Sequence, residues 1–217
     1  MPFAVPANPK IYHITHVENL AGIIADGHLW SDRLRVERDL RTSLVGMGRI
    51  KQRRLERIEV TCHPGTTVGE YVPFYFCPRS VMLYILHMGN NADLEYRGGQ
   101  SPIVHLEADL HASIAWARTN AVRWACSDRN ASAFVASFVS RAEDLTAINW
   151  PAIASSDFRN PVTKEGKQAE FLMHTAFPWS LVEAVGVYDQ QRLALAETAI
   201  ARAVHRPRLA VRADWYY

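Results

Sequence analysis

Hydrophobic and polar positions along this chain name its elements in short pieces. Residues 10–15 (K-I-Y-H-I-T) follow a proline-rich entry and are rich in β-branched and aromatic side chains, which predicts a first strand. In residues 16–26 the apolar positions Val17, Leu20, Ile23 and Ile24 recur at a helical period, and Gly27 closes the helix. Residues 71–80 form the most aromatic segment, and Pro73 and Pro78 favour an edge or short strand there over a long central one. Ser80 then caps a helix over residues 81–88 that ends at Gly89. Residues 102–106 read as a strand, 109–123 as a helix, 182–188 as a strand, 191–204 as a helix and 208–212 as a last strand.

Between them, residues 124–167 are long, mixed and poorly periodic, with a helical stretch near Glu143. Long irregular connections are uncommon and often functional. This one ends in a charged, Gly-bearing loop, Lys164-Glu165-Gly166-Lys167, which runs into the apolar strand Phe171-Leu172-Met173. Glu170 stands on the seam. A carboxylate there is costly to bury unless a cation or a donor meets it, and otherwise it is a rim charge. If the chain is extended, Gln168 points to the same side as Glu170. Strands outnumber helices and the short elements interleave irregularly, an α+β pattern rather than a regular parallel α/β one.

Composition narrows the class. The 217 residues suit one domain, 1–217, and a hydrophobic content of 48% suffices for a core. A net charge of +2 does not by itself argue for nucleic acid, although the pI near 8.5 leans that way. Cys62, Cys77 and Cys126 show no paired spacing, and an odd number argues against a disulfide framework. No signal-peptide pattern and no apolar run of membrane length is present, so a soluble, cytoplasmic protein is expected, with no membrane association.

Residues 31–57 are different in charge. Arg33, Arg35, Arg38, Arg41, Arg49, Lys51, Arg53, Arg54 and Arg57 oppose only Asp32, Glu37, Asp39 and Glu56. Such charge makes phosphate contacts, or else it is a solvated helix face. Gly46-Met47-Gly48 suggests a break in the stretch, and one arginine of the following Arg53-Arg54 pair can turn inward. His13, with Thr15 on its face of the strand, leads directly into a helix whose backbone donors suit a polar or anionic ligand. Zinc spacings, phosphate loops, dinucleotide turns and nucleophile elbows are all missing, so no metal is expected. What remains is a strand histidine, a tyrosine-rich strand, an inward arginine and a lone glutamate after a long loop.

That set resembles a known family. Ile11-Tyr12-His13-Ile14-Thr15-His16, the segment from Tyr71 to Arg79, Gln168-Ala169-Glu170-Phe171-Leu172 and the ending Asp214-Trp215-Tyr216-Tyr217 look like DarT toxins, the DNA ADP-ribosyltransferases of DarT–DarG toxin–antitoxin systems. The resemblance implies the ADP-ribosyltransferase fold: two antiparallel sheets around an NAD cleft, with helices at the sides. It implies transfer of ADP-ribose from NAD+, as co-substrate, to a base of single-stranded DNA, thymidine favoured, with release of nicotinamide and a block to replication. A macrodomain antitoxin partner and a monomeric state go with it. Residue by residue, His13, Ile14 and Thr15 match the strand that holds the nicotinamide end of NAD. Gly22 and Trp30 match further NAD contacts, the tryptophan departing from an aliphatic residue, and Tyr75 is taken with them. Residues 33–54 match an element that folds over NAD, with Arg54 its essential arginine. Residues 126–170 match the substrate-recognising loop, and Glu170 the catalytic glutamate. Val81 replaces a proline, a small departure, and Arg79 and Met82 are the expected DNA contacts.

The chemistry agrees with this. Breaking the bond from ribose to nicotinamide builds oxocarbenium character, which a nearby carboxylate stabilises. Glu170 can bond a ribose hydroxyl or act as base toward the nucleobase nitrogen. Arg54 can fork onto the pyrophosphate and lower the pKa of the target base. A base inside a duplex is out of reach, which favours single strands. Gln168-x-Glu170 does not choose the acceptor, so guanosine, RNA, protein or plain NAD hydrolysis stay open. So does a non-catalytic module that grips nucleic acid through residues 33–57.

Overall fold

The computed structural model describes residues 2–40, 43, 45–46 and 48–217. Strand β1 (Lys10–His16) passes through a single 3-10 turn into helix α1 (Leu20–Asp26), which Gly27 stops at φ 70° with its N–H on the Ile24 carbonyl. A left-handed residue at that position is the reason glycine ends the helix. Next come β2 (His28–Trp30), α2 (Asp32–Glu37) and α3 (Gly48–Glu56). The basic stretch is therefore two helices, as the Gly46–Gly48 break predicts; Met47 and Arg41 lie outside the described residues. Then follow β3 (Tyr71–Tyr75) and α4 (Val81–Met88), where the Ser80 hydroxyl accepts the Leu83 N–H and Gly89 turns at φ 62°.

Strand β4 (Ile103–Asp109) leads into α5 (Leu110–Thr119), capped by the Asp109 carboxylate. This helix stops short of Arg123 because Ala121 lies at φ 54°, outside the helical region. The stretch expected to be irregular holds β5 (Trp124–Ser127), β6 (Phe138–Val139), a 3-10 segment around Glu143, α6 (Trp150–Ala154) and α7 (Pro161–Gly166). The supposed Lys164–Lys167 loop is thus mostly helix. Asn160 caps it, accepting the Val162 and Thr163 N–H groups, and Pro161 opens it, a start signal the sequence carries. The chain closes with β7 (Glu170–His174), β8 (Ala176–Pro178), β9 (Val182–Val187), α8 (Gln190–Ile200) and β10 (Arg208–Val211).

The strands order as β10-β9-β4-β1-β3-β7-β5-β6, with β2 and β8 paired separately. β1 pairs with β4 along its whole length, but with β3 only at Tyr12↔Tyr75. The two expected sheets are the two halves, hinged at that one pair, and β9–β10 is a parallel exception to the antiparallel pattern. β3 is short, as its prolines require, yet central rather than at an edge. The reason is the splay. Pro73 pairs with Leu172 of β7, while its carbonyl accepts the His13 Nδ1 proton at 2.8 Å across the gap to β1. A residue's N–H and C=O share one side of a strand, so the N–H that proline lacks would have faced that gap, where no ladder bond is lost.

Each face of the sheet is buried. Ile11, Leu106, Phe171 and Met173 join Ile114 of α5 and Ile200 of α8 in the main core. On the other face Leu83 and Leu86 of α4 pack with Ile103, Trp215 and Tyr216, each buried leucine contributing about 1.5–3 kcal/mol. Tyr216 donates its hydroxyl to the Ile103 carbonyl at 2.7 Å. Gly186 is dictated by this closure, since a Cβ there would lie 2.3 Å from the Trp215 ring.

Candidate active site

Where β1 and β3 part, a cavity of about 460 Å3 opens between them, α1, α2, α3 and the start of α4. That is the size of a small-molecule pocket. His13, Ile14, Thr15, Gly22, Trp30, Arg54 and Tyr75 all line it, as do Met82 and Gln168. His13 is oriented by its bond to Pro73, which fixes the proton on Nδ1 and leaves Nε2 as the acceptor. Burial pushes the imidazole down to about 4, so the ring is neutral at neutral pH. Thr15 accepts from Asn19 Nδ2 at 2.9 Å, and Asn19 in turn holds the backbone of Ser43 through both its amide atoms. Ser43, which lies between α2 and α3, is thereby tied to the end of β1. Gly22 leaves its side open: a Cβ built there meets no protein atom within 4 Å.

Behind Arg54, which lines the cavity, lies Glu170, 1% exposed, and this corrects the reading of it as a rim charge. It is met as burial demands. Arg54 Nη1 and Nη2 donate to Oε1 and Oε2 at 3.2 and 2.8 Å, a two-pronged ion pair, and the Ala131 N–H donates to Oε1 at 2.9 Å. The Glu170 N–H itself bonds Ser127 Oγ. Burial would lower the Arg54 pKa, but Glu170 outweighs it and the guanidinium is held charged more firmly than usual. The phenol of Tyr75, opposite Glu170 in the β3–β7 pairing, is pushed up by burial and by that carboxylate. Gln168 does reach the cavity, but from the turn after α7 rather than from an extended strand.

A second charge cluster adjoins. Asp32 Oδ1 accepts from Lys51 Nζ at 3.0 Å and from Arg35 Nη1 at 3.3 Å, and all three side chains line the cavity. Burial raises the Asp32 carboxyl, but the two cations outweigh it and hold it below the usual range. Burial lowers Lys51 and Arg35 against the pull of Asp32. Arg35, Lys51 and Arg54 therefore gather on one side of the cavity, where an anion such as a pyrophosphate could meet them, while Glu18 and Asp26 line it as well. The basic stretch is therefore divided between the cavity and the solvent. Arg33 also turns in, to the Leu55 carbonyl at 2.8 Å, while Arg53 and Arg57 stay exposed. As the sequence allowed, Arg54 is the inward member of its pair.

Some positions differ from expectation. Arg54 spends its fork on Glu170, which leaves only its remaining N–H groups for a phosphate. Trp30 is stacked on His28 and lies under the Arg38 guanidinium at 4.0 Å, so it presents a flat face where an aliphatic side chain was expected. Arg79 is outside this cavity, with its guanidinium over the Tyr217 ring at 4.4 Å. Asp32, Arg35 and Lys51 escaped the sequence reading as a unit. The only local signal was the three-residue spacing of Asp32 and Arg35. Among the described residues, no three His, Cys, Asp or Glu side chains converge as a metal site requires, and no helix is long and apolar enough to cross a membrane.

Comparison with known proteins agrees with this geometry. A DNA ADP-ribosyl transferase of Thermus sp. (strain 2.9) is 38% identical over 216 residues, 98% of this chain and 98% of the relative. The structure of Thermus sp. 2.9 DarT in complex with ADP-ribosylated ssDNA superposes with a TM-score of 0.88 at 36% identity, covering 100% of both chains. That of Thermus sp. 2.9 DarT in complex with NAD+ gives 0.84 at 35% identity, over 99% of this chain and 100% of the other. The family described as ssDNA thymidine ADP-ribosyltransferase, DarT, matches residues 12–217. On that match, spanning almost the whole sequence, the chain belongs to the DarT family.

Proposed function

We propose that this chain transfers ADP-ribose from NAD+ to a thymine base of single-stranded DNA, releasing nicotinamide. One observation carries the reading: a buried glutamate locked in a two-pronged pair to Arg54, which lines the cavity that holds His13. NAD+ would supply the ADP-ribosyl group and, as nicotinamide leaves, the positive charge on the ribose carbon that the site must stabilise. The cavity fits such a ligand. It is large enough, it is open at Gly22, and Lys51, Arg35 and the free edge of Arg54 would face the pyrophosphate. His13, Ile14 and Thr15 would hold the nicotinamide end, and Trp30 and Tyr75 the flanks.

Glu170 would be the catalytic carboxylate, and its free acceptor can be named. An ionised carboxylate has about four lone-pair sites. Oε1 spends two on Arg54 Nη1 and Ala131 N, and Oε2 spends one on Arg54 Nη2. The remaining site is on Oε2, which would take a ribose hydroxyl or the N–H of the incoming base. Arg54 is then a positioning residue that keeps this carboxylate ionised and aimed. Arg79 and Met82 would meet DNA at the mouth. The same reading takes residues 1–217 as one monomeric domain, a cytoplasmic toxin that blocks replication and is restrained by a macrodomain antitoxin.

The test is incubation of the purified protein with NAD+ and synthetic oligonucleotides, read by mass. Thymidine-bearing single strands should gain one ADP-ribose, and thymidine-free strands and duplexes should not. Arg54→Lys should lose most of the rate, because an ammonium cannot give Glu170 two parallel bonds, while exposed Arg57→Lys should lose little. Equal losses in both variants, or labelling without regard to thymidine, would remove this reading.

A further inference from the structure

Leu40, Ser43, Val45 and Gly46, which lie between α2 and α3, line the cavity together with Thr15 of β1 and with Glu18 and Asn19 of the 3-10 turn that follows it. Two anchors of different kinds hold these residues. Val45 is buried and packs with Leu83 and Leu86 of α4. Ser43 is only half-buried, and hydrogen bonds hold it. Its N–H donates to Asn19 Oδ1 at 2.9 Å, Asn19 Nδ2 donates to its carbonyl at 3.0 Å, and its Oγ donates to Glu18 Oε2 at 3.0 Å. One side-chain amide thus meets both backbone groups of a residue 24 positions away, as a neighbouring strand would.

Asn19 gives up a local bond to do this. It directly precedes Leu20, the first residue of α1, a position from which asparagine ordinarily accepts an N–H of the first helical turn. Here its side chain makes no such cap bond. Its second Nδ2 proton goes instead to Thr15 Oγ1 at 2.9 Å, so the whole amide is spent on groups that border the cavity. A local preference overridden in this way marks a functional site rather than a requirement of the helix. Gly22 stands three residues further along the same face, with open space beside it, so the room for a ligand adjoins the Asn19–Ser43 bonds. Hydrogen bonds within reach of water are individually weak on balance, because water replaces them. The polar anchor can therefore open to admit a ligand and reclose, while the buried Val45 keeps its place.

We propose that Asn19 is a positioning residue for NAD+: its amide clasps Ser43 to the end of β1 and so closes the cavity over the bound co-substrate. The inference rests on the functional reading above and adds to it the contact that keeps the ligand in. Calorimetry with NAD+ in the absence of DNA is the first measurement. Asn19→Ala should bind NAD+ about 5- to 30-fold more weakly than the unaltered protein, the scale of two lost hydrogen bonds. In transfer to a thymidine oligonucleotide its KM for NAD+ should rise accordingly, with kcat at saturating NAD+ within about two-fold. Ser43→Ala keeps both backbone groups and loses only the bond to Glu18, so it should weaken NAD+ less than Asn19→Ala does. Hydrogen exchange read by mass is the second measurement. NAD+ should slow exchange of the peptide carrying the Ser43 amide in the unaltered protein and not in Asn19→Ala, with the β1 and α1 amides exchanging alike in both. Unchanged NAD+ affinity in Asn19→Ala, a fall in kcat with KM unchanged, or faster exchange throughout the sheet would overturn the proposal while leaving the function standing. A protein that binds no NAD+ would overturn both.

Discussion

Removing the Glu170 carboxylate while Arg54 stays should destabilise the fold as well as the chemistry. The side chains are 1% and 12% exposed, so the guanidinium would be left nearly dry without its counter-charge. Three donors lose their acceptor at once: both Arg54 terminal nitrogens and the Ala131 N–H. Breaking one partner of such a buried pair costs about 3–5 kcal/mol, and the residual exposure of Arg54 puts Glu170→Ala at the lower end, about 3 kcal/mol. For a chain of this length that lowers Tm by about 6–12 °C. Glu170→Gln keeps the volume and one acceptor oxygen and should lose only about 1–2 kcal/mol. It is the variant with which to test activity, and it should be folded and inactive in transfer. Replacing both groups, Arg54→Met with Glu170→Leu, should cost less than the sum of the single replacements, because no unpaired charge remains. Urea unfolding followed by circular dichroism, with slopes compared across the set, gives these numbers. If Glu170→Ala stays within about 0.5 kcal/mol of the parent, or if the singles simply add in the double, then the pair is not coupled as its geometry says.

Gly22→Ala should leave the fold intact or stabilise it by up to about 1 kcal/mol, since a Cβ there meets no protein atom, whereas Gly22→Leu should raise the KM for NAD+ by filling the ligand's space; an unchanged KM in the leucine variant would place the ligand elsewhere. Burial pushes His105 and His13 down to about 4 from an ordinary 6.5, so between those values the unfolded chain binds protons that the folded one refuses. Stability should therefore be full above about pH 6.5 and fall toward pH 4, with fully buried His105 contributing about 3 kcal/mol of the fall. Urea midpoints across this range should show a shallower slope for His105→Phe, and identical slopes would refute the assignment.

Several elements were legible because their signals are local. The 3.6 period and Gly27 define α1, Ser80 and Gly89 bracket α4, and the apolar run after Glu170 makes β7. Caps and periods act between residues about four positions apart, so one sequence suffices to read them. His13 and Glu170 were singled out on the same terms, as polar groups in positions that burial would make costly, whereas the local pattern gave only one inward arginine of the Arg53-Arg54 pair and the family resemblance pointed to Arg54. The three-residue strands β2 and β8 were not legible, for they are too short to show alternation and exist only by pairing with each other, Leu29 opposite Phe177.

Tertiary structure alone decided the rest. Arg54 and Glu170 are 116 residues apart, and nothing in either neighbourhood states that they meet. They meet because β3 lies between β1 and β7, which sets Tyr75 opposite Glu170 and leaves β1 free to part from β3 beside them. That parting also turned Pro73 from a sign of an edge strand into the carbonyl that orients His13. Sequence patterns fix which side chains are polar, apolar or cationic. The sheet order determines which of them share a dry space, and there a charge either finds its partner or costs several kcal/mol.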